Sequence, residues 1–197
     1  MDKSPSRRSF LPLMAVGAGA VALAGAATVA LMDQGPGAPP PSLIGGHFQL
    51  IDQNGRAVTE DDFKGRPTLM FFGYTHCPDV CPTTLFEISE ILRKLKAGGK
   101  AGGVFVSVDP ERDTPAVMKD YLSSFDDRII GVTGDRASVD VILKEYRVYA
   151  RKVPGTGDDY TMDHSALVYL MDKQMRFVNA LNLGDPDKAA REIERWM

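Results

Sequence analysis

The chain has 197 residues, of which 44% are hydrophobic and 25% charged, and its formal net charge is −3. That length holds one ordinary domain and something more, enough to bury a core without disulfide staples. The mildly acidic balance gives no electrostatic reason to expect nucleic-acid binding, and two closely spaced cysteines argue against a disulfide scaffold and for a redox or metal pair.

The first 32 residues carry Lys3, Arg7 and Arg8 against Asp2, a net +2, which leaves −5 for the remainder. Leu11 to Met32 is a run of 22 residues without a charged side chain, about the length that crosses a bilayer as a helix. Arg7 and Arg8 precede it, so residues 1–10 are expected in the cytoplasm and the rest of the chain beyond the membrane. The string from Ser6 to Leu11 resembles a twin-arginine export signal, although paired arginines also precede ordinary signals. Ala22-Leu23-Ala24 has the form of a cleavage site but lies inside the apolar run, and no lipobox cysteine is present. The preferred reading is therefore an uncleaved, single-pass transmembrane anchor over 11–32. A buried core helix fits less well, because the run has no polar face. Residues 33–42, DQGPGAPPPS, read as an extended linker that lifts the following domain off the membrane.

From residue 43 to 197 the pattern is mixed α and β. Gly46 to Asp52 alternates, Asn54-Gly55 signals a hairpin turn, and Arg56 to Val58 returns. Thr59 to Asp62 has the form of a helix start that Gly65-Arg66-Pro67 breaks. Thr68 to Gly73, TLMFFG, and Gly103 to Val108 are continuous apolar runs, the mark of strands buried on both faces. Between them Thr83 to Lys96 is predicted helical, with Leu85, Ile88, Ile91, Leu92 and Leu95 on one face. Thr114-Pro115 opens a helix to about Phe125, with Asp113 or Thr114 as its cap. Ile129 to Gly131 is short and apolar, and Ala137 to Tyr146 is helical. Ala166 to Met171 and Met175 to Asn182 form an antiparallel hairpin turning at Asp172-Lys173, and Asp185 to Met197 closes the chain as a helix. This order predicts a thioredoxin-like α/β fold with an extra N-terminal β-hairpin and an inserted helix.

Cys77-Pro78-Asp79-Val80-Cys81-Pro82 follows the first buried strand and opens the first helix. Four residues apart on a helix puts both sulfurs on one face, able to share an ion or to form a disulfide. A helix N-terminus is expected to lower a thiol pKa. Two soft donors favour Cu(I) or Zn(II) and call for a third ligand. Only His47, His76 and His164 are available. His47 lies in the early hairpin, and the His76 ring would have to turn back against the helix start. His164 precedes the strand Ala166–Met171, in a loop that a thioredoxin-like sheet turns toward the cysteine helix, so it is the preferred third donor. A Cys2His set also suits Cu(II). Asp163 is a candidate for orienting His164, or a simple turn residue. Asp79 either tunes the thiols or satisfies the helix dipole. Met162 is read as packing.

Three blocks, GYTHCPDVCPTTL (Gly73–Leu85), SVDPERDTP (Ser107–Pro115) and DHSALVYLMD (Asp163–Asp172), resemble in order the signature blocks of the Sco/SenC family. The likeness runs from about residue 44 to 190. It implies a thioredoxin fold with a membrane anchor and a copper site on Cys77, Cys81 and His164. It also implies a role in assembling the dinuclear copper centre of cytochrome c oxidase subunit II. Localisation would be the bacterial inner membrane, with residues 43–197 facing the periplasm. Expected partners are that subunit or another copper-receiving protein, and a copper donor protein. SVDPERDTP is expected to shape a loop near the site without chemistry of its own. Arg151 to Asp163 is read as a mobile loop that closes when copper binds.

The competing function is a thiol-disulfide oxidoreductase that reduces cysteines of a copper-receiving protein, using Cys77 and Cys81 as its redox pair. C-x-x-x-C spacing, and Asp163-His164-Ser165 where thioredoxins place a cis-proline, weigh against a general redox enzyme. Catalysis is not the primary expectation.

Overall fold

A computed structural model describes residues 37–95, 100–156 and 159–197. The expected segments 1–10 and 11–32, with the start of the linker, lie outside the described residues. Among those described, no helix is long and apolar enough to cross a membrane.

Strand β1 (Gln49–Asp52) turns at Asn54-Gly55 into β2 (Ala57–Thr59), with Gly55 at φ +79° where a side chain would be strained. Thr59 and Asp62 form a reciprocal capping box on a single 3₁₀ turn, Glu60–Phe63, in the place read as a helix start. Then come β3 (Thr68–Gly73), α1 (Val80–Lys94) and β4 (Gly102–Ser107). Every residue of β3 and β4 is buried, and the two pair in parallel from Thr68–Gly102 to Gly73–Ser107. Continuous apolar sequence is what a strand covered on both faces requires.

Helix α2 (Pro115–Leu122) is capped by Thr114, whose hydroxyl accepts the Val117 amide, and proline stands in its first turn. Strand β5 (Ile129–Thr133) pairs in parallel with β4, and α3 (Arg136–Glu145) follows it. Next come β6 (Ala150–Pro154), β7 (Tyr160–His164), β8 (Val168–Met171), β9 (Phe177–Leu181) and α4 (Pro186–Glu194). The main sheet has the order β2-β1-β5-β4-β3-β8-β9, with β8 antiparallel to β3 and β9 antiparallel to β8. This is the expected thioredoxin-like core, a parallel β-α-β unit joined to a β-hairpin and a final helix.

The segment Arg151 to Asp163 corrects the sequence reading. Its described residues form an antiparallel hairpin, β6 with β7, as a separate two-stranded sheet. Both strands are largely solvated, so no hydrophobic alternation marked them, and backbone pairing alone makes them strands. Residues 157–158 lie outside those described.

Helix α1 begins at Val80, three residues earlier than expected, because Pro82 is tolerated in a first turn. It buries Leu85, Ile88, Ile91 and Leu92. Each such side chain contributes about 1.5–3 kcal/mol when fully buried. The end of β3 and the start of α1 are therefore held from both sides by core packing.

Candidate metal centre

Cys77 lies in the turn between β3 and α1, with its amide bonded to the Tyr74 carbonyl at 3.3 Å. It is not on the helix, so helical periodicity is not what brings the two cysteines together. Instead the Cys77 sulfur accepts the Cys81 amide at 3.4 Å, taking up one of the N-terminal donors that α1 leaves unpaired. Asp79 stands at the N-cap, exposed and without a side-chain cap bond. Cys77 is half-buried, Cys81 is fully buried, and both are free thiols. The backbone at Gly73 makes room for Cys81: a Cβ there would lie 2.7 Å from its sulfur and 2.8 Å from the Phe105 ring.

The helix N-terminus does not give Cys81 the lowered pKa expected of it. Burial pushes its thiol well above the ordinary value, and the neighbouring Cys77 adds to the rise.

His164 is the last residue of β7, not part of a loop before β8. Its Nδ1 meets the Met162 carbonyl at 3.1 Å. A carbonyl only accepts, so Nδ1 carries the proton and Nε2 of the neutral ring presents its lone pair. Nε2 faces the Cys81 sulfur at 3.8 Å. The ring also stands edge-on to Tyr74, with centroids 5.6 Å apart. Met162 is buried, and its carbonyl rather than Asp163, whose side chain is exposed, orients the imidazole.

The other histidines stand apart from this contact. His47 pairs with Glu60 at 2.9 Å. His76 Nδ1 is engaged by the Thr75 hydroxyl at 3.0 Å. Cys81 thus neighbours both Cys77 and His164. Among the described residues, however, no three His, Cys, Asp or Glu groups form a ready-made metal cage. A thiol pair and an imidazole are the donor types of soft and borderline metals.

One participant was read in the sequence only as a candidate helix cap. Asp113 does not cap α2. Fully buried, it accepts the Thr75 hydroxyl and the Ser107 hydroxyl, each at 2.6 Å, and the Thr75 amide at 3.1 Å. It thereby ties the turn before Cys77 to the end of β4. Burial raises its pKa, and the hydroxyl and amide bonds only partly offset that rise.

Fold and centre together define a thioredoxin-like protein in which one thiol meets an imidazole, with a second thiol on the adjoining turn, at the end of the first buried strand. The SCO1/SenC family matches residues 36–197. A SCO2-like protein of Rickettsia felis is 41% identical over 159 residues, which is 78% of this chain and 75% of that protein. The mitochondrial protein SCO1 homolog 1 of Arabidopsis thaliana is 41% identical over 139 residues, 70% of this chain but 42% of that protein's length. Bradyrhizobium japonicum ScoI, solved with copper bound, is similar with a TM-score of 0.75 at 59% identity, over 78% of this chain and 99% of that one. The chain belongs to the SCO1/SenC family.

Proposed function

We propose that this protein is a copper metallochaperone. It binds Cu(I) or Cu(II) through Cys77 Sγ, Cys81 Sγ and His164 Nε2 and passes the ion on during assembly of the dinuclear copper centre of cytochrome c oxidase. The observation that carries the reading is the 3.8 Å approach of a bare imidazole nitrogen to the Cys81 sulfur. Bonds of about 2.3 Å to sulfur and 2.1 Å to nitrogen, opened to about 120°, set two donors about 3.8 Å apart. The Cys77 sulfur lies on the Cys81 amide at 3.4 Å, beside the same helix start. That the Bradyrhizobium relative was solved with copper bound supports copper as the ion.

The chemistry is ligand exchange. Thiolates hold Cu(I) well, imidazole is a good Cu(II) ligand, and three donors leave a coordination position open to an incoming one. The recipient in this reading is subunit II of the oxidase or another copper-receiving protein, and a separate donor protein loads the site. Residues 11–32 anchor the domain to the bacterial inner membrane, and residues 43–197 work on the periplasmic side.

The test is the count of copper held by the reduced protein after anaerobic loading and desalting. One ion per chain is expected, lost in Cys77→Ser and Cys81→Ser and weakened in His164→Ala. No stoichiometric copper in the parent sinks the reading. Copper kept in full by His164→Ala removes the third ligand.

The Cys77 sulfur lying on the Cys81 amide, with both thiols free, favours a second reading. In it, Cys77 attacks a target disulfide to form a mixed disulfide, and Cys81 then displaces the target. The target leaves as a dithiol and the pair as a Cys77–Cys81 disulfide. Rapid exchange that needs both cysteines, without copper binding, would establish it. The upward-shifted thiol of Cys81 makes it the slower alternative.

A further inference from the structure

The β6–β7 hairpin is thinly packed for an element that carries a site residue. Of its described side chains only Met162 is buried. What holds it is a polar and aromatic cluster centred on Arg112, in the loop between β4 and α2. Arg112 Nε donates to Asp109 Oδ2 at 2.6 Å and Nη1 donates to the Tyr160 carbonyl at 3.1 Å. The guanidinium carbon lies 3.6 Å from the centre of the Tyr160 ring and 5.7 Å from that of Tyr74. The Tyr160 hydroxyl donates to the other oxygen of Asp109 at 2.8 Å, so both oxygens of a buried carboxylate are committed.

Tyr160 opens β7 and His164 closes it, while Tyr74 meets the His164 ring edge-on. One guanidinium therefore touches both the start of the strand and the ring that packs against its last residue. Arg112 is only 19% exposed, and its Nη2 is buried without a hydrogen-bond partner. A charge desolvated in this way contributes little to stability, and what it does supply is fixed geometry.

We infer that Arg112 is the positioning residue that latches the β6–β7 hairpin down and so holds His164 Nε2 against Cys81. Asp113, its neighbour in sequence, ties down the cysteine turn, so one loop sets the spacing of both halves of the centre. This inference rests on the copper-binding reading for its consequence: the latch fixes how firmly the third donor meets the ion, and its release leaves a two-sulfur site from which copper departs.

Two readouts test it, one with copper and one without. In the Cu(II)-loaded protein, Arg112→Ala is expected to move the sulfur-to-copper absorption band and the electron paramagnetic resonance signal to those of His164→Ala, with circular dichroism unchanged. In the metal-free protein the same variant is expected to speed alkylation of Cys81 by about tenfold, the scale of one lost charge-assisted hydrogen bond. Arg112→Lys keeps the charge but not the fork or the stack, and should fall between parent and Arg112→Ala. Tyr160→Phe keeps the stacked ring and loses only the bond to Asp109, and should shift both signals the same way by less. These two milder variants carry the test if Arg112→Ala does not fold. Parent-like copper signals together with parent-like Cys81 alkylation in the folded variants would overturn the latch. A parent that binds no copper would remove the reading beneath it, and the alkylation rates would then decide whether Arg112 holds the hairpin over Cys81.

Discussion

Cys81 and His164 stand 3.8 Å apart, yet the elements that carry them are anchored by different physics. The cysteine side is built into the core: β3 and β4 are buried throughout, α1 packs an apolar face, and Asp113 ties the turn to the end of β4. The histidine side is a two-stranded sheet outside the main one, held by a guanidinium, two tyrosines and a carboxylate. Core packing resists displacement, because its many small contacts are lost together. A polar cluster opens by breaking a few bonds. In the proposed copper-delivery reading, this difference would let the two sulfurs stay while the third donor is the one free to leave.

The strongest test of the rigid side is Asp113→Ala. It leaves the Thr75 amide and the Ser107 hydroxyl buried without their acceptor, and is expected to cost about 3 kcal/mol in urea unfolding. Asp113→Asn should cost less and should also alter the pH profile. Burial raises the Asp113 pKa, so the folded chain keeps this proton where the unfolded chain has lost it. The contribution is complete below the ordinary carboxylate value and is lost as pH rises through the folded one. The asparagine variant should lack that decline.

Next in size is Gly73→Ala. Its Cβ would meet the Cys81 sulfur and the Phe105 ring inside van der Waals contact, an overpacking worth about 1–3 kcal/mol. Copper affinity should fall with it, since the displaced atom is a proposed ligand. Unchanged stability and copper binding would mean that the cysteine side is softer than its packing implies.

The two thiols sharpen the contrast further. Cys77 is half-buried, whereas Cys81 is fully buried with its thiol pushed up by desolvation. Each unit of upward shift lowers the thiolate fraction about tenfold. In metal-free reduced protein, iodoacetamide followed by peptide mass mapping should therefore modify Cys77 well before Cys81. Equal rates would show that the site opens readily without copper.

The smallest expected effect lies on the scaffold of α1. Arg128 holds Asp126 below the usual carboxylate range, and the Asp126 amide bonds the Ser89 hydroxyl of α1. A depressed folded pKa gives stability that is present above the unfolded value and is lost as pH falls through the folded one. Asp126→Asn should flatten the acid limb of a thermal-stability profile by about 1 kcal/mol, leaving hydrogen exchange in the hairpin unchanged.

These contrasts also mark what could be read in the sequence. TLMFFG and the apolar stripe of α1 announce themselves, because a doubly covered strand and a one-sided helix leave distinct periods. The β6–β7 hairpin left none: Arg151 and Asp163 are exposed, and Met162 is the one fully buried side chain among its described residues. Cys77, Cys81 and His164 were legible as chemistry, but not the way they meet. Spacing suggested one helix face, while the structure uses a turn sulfur on a helix amide. Asp113 and Arg112 were hidden because a buried polar residue in a polar loop looks like a solvated one. The only signal was the crowding of Asp109, Glu111, Arg112 and Asp113 between Ser107 and Thr114, more ionisable groups than a simple turn needs.

The most direct test of the central claim is X-ray absorption at the copper edge of the loaded protein, compared with its His164→Ala variant. The account predicts two sulfur neighbours and at least one imidazole nitrogen in the parent, and loss of that imidazole with both sulfurs retained in the variant. A parent shell without two sulfurs, or an identical shell in both proteins, would contradict it.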